Sequence, residues 1–301
     1  KITQQVKQAV AVRTFQATIE QVQQQPLNMT VALPKDAIPG RGGVRVVLQS
    51  RLADELAGVR EYMERYPYTC FEQRASKAVA LRNEHSWDVL MGNLPSYLDR
   101  DGLVKYFPLM DEGSDSLTSY ILAIGAEAGY EIPEYAKNRM QKGLVGFVEG
   151  RVVRYSALPT ADLAIRKVAA LAALSRGETE INPRWLDGFS IEPNLWPTSA
   201  VIDWYTLLKH APNLPQADTR RAEAEQILRA RLNFQGTTMT FSTERSDALW
   251  WLMNSADQNA NRLLIAMLEQ DNWGPDMPRL VRGALGRQHR GGADDVAGAR
   301  Q

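Results

Sequence analysis

The sequence is sparing with the residues that most often carry chemistry. Its 301 residues hold one cysteine, Cys70, and three histidines, His85, His210 and His289. A single cysteine excludes an internal disulfide. The histidines are scattered and show no spacing that suggests zinc, so no metal and no cofactor are expected. Charge of either sign is not in excess, with 35 Lys+Arg against 35 Asp+Glu. No global field therefore favours nucleic acid or an anionic membrane. No apolar run reaches the ~18 residues of a membrane-spanning helix, and direct membrane insertion is not expected. No strict internal repeat is visible. The opening stretch, "KITQQVKQAVAVRTF", has neither an initiator Met nor the apolar core of a signal peptide. The chain is expected to be a segment of a longer protein. One cysteine fits a reducing cytosol and equally a periplasmic domain without disulfides.

What is present is ordinary globular material, 44% hydrophobic and 23% charged. Its patterning changes once. Residues 1–50 contain "VAVRTFQATIEQV" and "GGVRVVLQS", β-branched and partly alternating, which predicts strands. "LPKDAIPGRGG" between them reads as a loop. Two or three strands do not make a stable sheet alone, so they are expected to belong to a larger β-domain. From about residue 52 the period becomes helical: Leu52, Leu56, Val59 and Met63 fall on one stripe. Further helices are predicted from Cys70, in "SDSLTSYILAIGAEAGY", in "PEYAKNRMQKGLVGFVEGRV" with Pro133 in its first turn, and in "TADLAIRKVAALAALSRG" capped by Thr160. "PTSAVIDWYTLLKH", "DTRRAEAEQILRARL", "SDALWWLMNSA" and "QNANRLLIAMLEQD" follow. The fold class is mainly α, with strands confined to the first fifty residues apart from an allowed short hairpin. Paired helices without a sequence repeat favour a closed α/α toroid over a solenoid. The expected division is 1–50 as strands of a flanking domain, 51–286 as the helical domain, and 287–301 as a disordered tail.

The chemistry is read from "YPYTCFEQ". Positions i and i+3 at a helix start are neighbours, so the Cys70 sulfur can meet the side-chain carbonyl of Gln73. Attack by the thiolate with departure of ammonia would leave an internal thioester, a strong acyl donor. Gln73 would be the electrophilic acyl group and Cys70 the leaving group. Glu72 stands outside the ring, where a carboxylate favours the helix N-terminus. That N-terminus is also expected to lower the thiol pKa. Such a site must exclude water. Tyr66, Tyr68 and Phe71, with Trp87, are candidate shields, and equally candidates for plain core.

Cys70-Phe71-Glu72-Gln73 resembles the Cys-x-Glu-Gln thioester motif of the α2-macroglobulin and complement superfamily. Tyr66-Pro67-Tyr68, "LPKDAIPGRGG", "GSDSLTSYILAIGAEAGY" and "DALWWLMNSADQNANRLL" are similar to its bacterial branch, so the resemblance spans about residues 30–285. The second motif position is commonly Gly or Leu in the family and is Phe71 here. The resemblance implies an α/α-toroid thioester domain beside a CUB-like β-sandwich, which would own the N-terminal strands. It implies a bacterial protease inhibitor in which the Cys70–Gln73 thioester acylates lysine amines of an attacking protease. That is covalent trapping, a single-turnover event and not enzymatic catalysis. It implies a periplasmic parent, from a branch whose members are often lipid-anchored, whose other domains are partners. Complement-type relatives use a downstream histidine, and none lies between His85 and His210, so direct attack by amines is expected.

Two readings of other classes compete. One is an α/α-toroid carbohydrate-active enzyme, which needs paired carboxylates; Asp111, Glu112 and Asp115 are the nearest cluster. The other is a binding module whose thioester is vestigial. "MDEGSDS" lacks the spacing of a calcium loop and reads as a solvated turn with a helix cap. Trp250-Trp251 reads as core and rim.

Overall fold

The computed structural model describes residues 57–177, 179–190, 192–235, 238–242 and 249–290, and between 22 and 50 the residues 22, 24–32, 35, 38–40, 42–44, 46, 48 and 50. The strand expected over "VAVRTFQATIEQV" lies almost wholly outside these residues. The described positions of "GGVRVVLQS" carry no strand.

Eleven α-helices are formed among the described residues: α1 Ala57–Arg65, α2 Phe71–Ala80, α3 Glu84–Gly92, α4 Leu94–Tyr97, α5 Asp115–Ala128, α6 Glu134–Val148, α7 Leu163–Ser175, α8 Thr198–His210, α9 Ala217–Ala230, α10 Ala256–Met267 and α11 Met277–Arg290. One antiparallel hairpin, β1 Leu232–Gln235 with β2 Thr238–Phe241, pairs Leu232 with Phe241. It supplies the short hairpin that the sequence pattern allowed.

The helices pack as successive neighbours. α2 lies on α3 and α5, α5 on α6 and α7, α7 on α8, and α8 on both α9 and α10, while α11 covers α10 and β2. The most apolar helices sit innermost. In α8 every residue from Thr198 to Leu208 is buried, and α7 buries most of its length. Helices apolar all round belong in a protein interior. Helices with one apolar stripe, such as α9, lie against them.

Boundaries depart from the sequence reading where side chains have other uses. α7 starts after Asp162 and not at Thr160; Asp162 makes no side-chain cap bond, and its Oδ2 accepts from Trp251 Nε1 at 3.0 Å and from Ser156 Oγ. Pro133 is the N-cap of α6, one residue outside the first turn. "SDALWWLMNSA" forms only a 3₁₀ turn, Trp250–Leu252, among its described residues, because Met253 takes a left-handed conformation with φ 60°. α11 runs to Arg290, four residues past the expected domain end, since Arg and Gln propagate a helix without any apolar stripe. Residues 291–301 of the expected tail lie outside the described set.

Candidate functional site at the start of α2

Pro67 cannot sit inside a helix, so the chain arrives extended and α2 begins afresh at Phe71. Cys70 is its N-cap, with φ −65° and ψ 165°. The Cys70 N–H donates to Gln73 Oε1 at 3.2 Å, and the Gln73 N–H faces the Cys70 sulfur. This is a capping box in which a thiol replaces the usual hydroxyl. It closes Cys70 and Gln73 into one hydrogen-bonded ring. The two side chains are thereby tied to each other's backbone at the head of α2.

Cys70 is buried, at 7% exposure. Its thiol pKa is raised by burial first, and further by the negative charge of Glu72. The N–H groups of Gln73 and Glu72 pull the other way and do not prevail. The expectation that the helix N-terminus would lower this pKa is therefore corrected: two amides cannot offset loss of water.

The expected aromatic shields divide. Tyr66 is half-buried over the site, its hydroxyl reaching the Gln73 side chain, and burial raises its pKa, assisted by Tyr62 and Glu72. Phe71 is fully buried and packs on Tyr97 at 4.8 Å, so it anchors α2 from below. Full burial of such a ring is worth about 1.5–3 kcal/mol. Tyr68 is 60% exposed and stacks edgewise on Tyr66 at 5.3 Å. Trp87 is spent in the α3–α5 contact, where its Nε1 donates to Glu131 O at 2.7 Å.

Other groups at the site had no local signal in the sequence. Tyr106 comes from the loop between α4 and α5, and its carbonyl accepts the Phe71 N–H at 2.9 Å. Its hydroxyl is pushed up to about 12, by burial first and then by Glu72 and Cys70. On α5, Tyr120 shares a 2.7 Å hydrogen bond with Ser76, and Ser76 donates to Glu72 Oε1 at 2.7 Å. Only the Glu72–Ser76 pair, four apart on one helix, was legible beforehand.

The loop that carries Tyr106 is clamped by a buried ion pair. Asp99 accepts the N–H groups of Asp101, Leu103 and Gly113, while Arg154 bonds Asp99 Oδ2 at 2.5 Å, Asp101 Oδ2 at 2.7 Å and the Gly113 carbonyl at 2.9 Å. Burial pushes the Asp99 pKa up, but the Gly113 amide, Arg154 and the Leu103 amide outweigh it and hold it below the ordinary value. The closure leaves no room for side chains: a Cβ on Gly113 would stand 2.2 Å from the Leu103 carbonyl oxygen.

The carboxylate cluster does not act as one. Asp111 and Glu112 are exposed, whereas Asp115 is buried in an ion pair with Arg166, so the three face no common cleft. A cavity of about 210 Å³ between α5, α7, α8 and α10 is lined by Glu127, which is tied to Arg176 at 2.6 Å. Arg262 on its wall is paired with Asp203. Neither acid is free for glycosidic chemistry. Among the described residues no group of three His, Cys, Asp or Glu could hold a metal, and no helix is long and apolar enough to cross a membrane.

No protein-family model matches the sequence, and no curated protein matches it. Solved structures do. Native α2-macroglobulin from Escherichia coli, spanning domain MG7 to the C-terminus, matches with TM-score 0.60 at 16% identity, over 79% of this chain and 39% of that one. The native conformation of the E. coli protein matches with TM-score 0.55 at 19% identity, again over 79% of this chain and 16% of that one. Salmonella α2-macroglobulin reacted with methylamine matches with TM-score 0.57 at 19% identity, over 79% and 16%. The mainly helical fold is thus similar to part of bacterial α2-macroglobulins, and the chain spans well under half of each.

Proposed function

We propose that this chain is the thioester domain of a bacterial α2-macroglobulin-like protease inhibitor, an α/α toroid flanked by a CUB-like sandwich. Cys70 and Gln73 form the internal thioester, and Gln73 is the acyl group delivered to a lysine amine of an attacking protease. The observation that carries the reading is the Cys70–Gln73 capping box, in which each side chain accepts from the other residue's backbone N–H; this supports bringing the thiol and the amide together. The Cys70 N–H already bonds the oxygen that would become an oxyanion. The likeness of the fold to part of the methylamine-reacted Salmonella protein supports the same reading. A proximate nucleophile gains several kcal/mol of effective molarity, enough to let a thiol compete for an otherwise inert amide. Trapping is a single covalent event per chain. The site's residues need no cofactor, and the periplasm and the parent's other domains complete the proposed setting.

The test is intact mass. Fresh protein should be lighter than its sequence by one ammonia and show no titratable thiol. Methylamine should add its own mass and release one thiol per chain. A free Cys70 beside an unreacted Gln73 amide in fresh protein would sink the thioester and favour the vestigial module.

A further inference from the structure

The loop between α4 and α5 puts bulky apolar side chains into solvent next to the head of α2. Leu109 is 97% exposed, Phe107 53% and Met110 43%. A single exposed leucine is ordinary, but exposed apolar side chains gathered on one loop mark a contact surface. The loop is not slack. Val104 pairs with Ser114 across its base. Lys105 Nζ donates to the Pro108 carbonyl at 2.6 Å, and the Met110 N–H donates to the Phe107 carbonyl at 3.1 Å. Asp99 and Arg154 hold Gly113 from both sides of its peptide plane. The turn is therefore ordered without burying its own side chains, and that ordering lowers the cost of docking a partner.

Tyr106 sets the place of the loop. Its carbonyl accepts the Phe71 N–H at 2.9 Å, so the loop departs from the residue that follows Cys70. Three residues span at most about 11 Å, which bounds the distance from Tyr106 to Leu109. An interface of ordinary size covers about 800 Å² on each partner, on the order of 16 Å in radius. A protein whose lysine reached Gln73 would have the loop within that footprint. The charge suits such a visitor. Asp111 and Glu112 follow Met110 and are exposed, while Lys105, the one cation of residues 105–113, is engaged by Pro108. Two carboxylates against one cation leave the loop net negative, complementary to a lysine-bearing surface.

We propose that residues 107–112 are the docking element for the acyl acceptor, a protein surface that presents a lysine amine beside apolar side chains. This rests on the thioester reading. Leu109, with Phe107 and Met110, supplies the apolar contact, and Asp111 and Glu112 attract the cationic surface around it. Docking raises the local concentration of the amine at Gln73 before any bond changes. The amine nitrogen then bonds Gln73 Cδ, the Cδ–Sγ bond breaks, and the proton lost by the amine ends on Sγ. The products are an amide and a free Cys70 thiol. A small nucleophile makes the same bonds without needing the loop, so the loop selects acceptors and does not activate the acyl group.

The experiment sets a small nucleophile against a protein on the 301-residue chain. Hydroxylamine, uncharged at neutral pH, releases the Cys70 thiol and reads the acyl group alone. Trypsin with its active site blocked is the lysine-bearing probe, and covalent conjugate is followed by intact mass. Leu109→Ser should leave release by hydroxylamine unchanged and slow conjugation about tenfold, the effect of losing one buried leucine contact. Leu109→Met keeps the apolar volume and should restore the rate. Asp111→Asn with Glu112→Gln should slow conjugation about threefold at low salt and have no effect near ~1 M salt, where such steering is screened. In a Cys70→Ser background, where no ring can form, the same probe should bind more weakly once Leu109→Ser is added. Conjugation of Leu109→Ser at the wild-type rate, or equal binding with and without it in the Cys70→Ser background, would overturn the docking element. So would a wild-type dimer that Leu109→Ser dissociates with conjugation intact, because the loop would then belong to a second copy of the chain. A wild-type chain of full sequence mass, with a free thiol and an unreacted Gln73, would overturn the thioester reading itself, and this inference with it.

Discussion

The chain builds the same helix start twice. At α2 the sequence is Cys70-Phe71-Glu72-Gln73; at α10 it is Ser255-Ala256-Asp257-Gln258. Both are capping boxes with glutamine at the third helical position. The Ser255 N–H donates to Gln258 Oε1 at 3.1 Å, against 3.2 Å for Cys70 and Gln73. An acid stands in the third place of each. Ring geometry alone therefore does not make a reactive site. The α2 box differs in three respects: its cap is a thiol, it is buried while Ser255 is exposed, and tyrosines from two distant segments close around it. The α10 box satisfies two orphan amides, and that is sufficient to account for it.

Exchanging the cap atoms should give the largest effect. Cys70→Ser turns the α2 box into the α10 box. Stability should change by no more than about 1 kcal/mol, because serine is a strong N-cap. Amine reactivity should vanish completely, with intact mass equal to sequence. In that background Ser255→Cys should yield one freely titratable thiol and no loss of ammonia. Loss of ammonia from the exposed box would mean that burial and the surrounding tyrosines contribute nothing.

A smaller effect is expected from the clamp that only α2 possesses. Arg154→Ala would leave the Asp99 carboxylate buried without its cation, which costs about 3–5 kcal/mol. Urea denaturation gives the stability directly. The pH dependence has a definite sign. A carboxylate with a depressed folded-state pKa adds stability above its unfolded pKa and loses it as pH falls through the folded value. For Asp99 that loss in the wild type should come below the ordinary carboxylate range, and in Arg154→Ala it should begin at higher pH. The Tyr106 loop would also loosen, so hydrolysis of any thioester should accelerate. Identical thioester lifetimes in the two proteins would show that the loop does not guard α2.

How much of this was legible in advance depends on the range of the interaction. The helical period, the α5 cap at Ser114 and the Cys70–Gln73 ring were all readable, because each is set within four residues. Tyr106 and Tyr120 were not, because nothing near them in sequence refers to Cys70. The exposure of Tyr68 was not legible for the same reason: composition says that an aromatic is near the motif, but only packing says how much of its ring is covered. Asp115 looked like part of a surface acidic cluster until Arg166, 51 residues away, was seen to bury it. The thiol pKa was misjudged because the helix N-terminus is visible in sequence and desolvation is not.

The last contrast concerns those two thiols directly. Gln73→Ala removes the acyl group and leaves Cys70 free at the head of α2, still facing the backbone N–H of residue 73. Ser255→Cys, made with Cys70→Ser, places a thiol at the equivalent position of α10. Helix N-terminal amides favour the thiolate at both. At α2, burial and the Glu72 charge oppose them and prevail, so the folded thiol pKa lies above the ordinary value. At α10 the cap is exposed, so the burial part of that opposition is absent. Since the thiolate is the reacting species, iodoacetamide at neutral pH should alkylate the α10 thiol about tenfold faster or more. As pH rises, the α2 thiol should catch up, with its inflection above that of the α10 thiol. Denaturation should erase the difference, because both then titrate as ordinary cysteines. If the two folded proteins alkylate at the same rate across pH, the sulfur of Cys70 is reached by water as freely as that of an exposed cap. The distinction between a buried, poised box and a merely structural one would then fail.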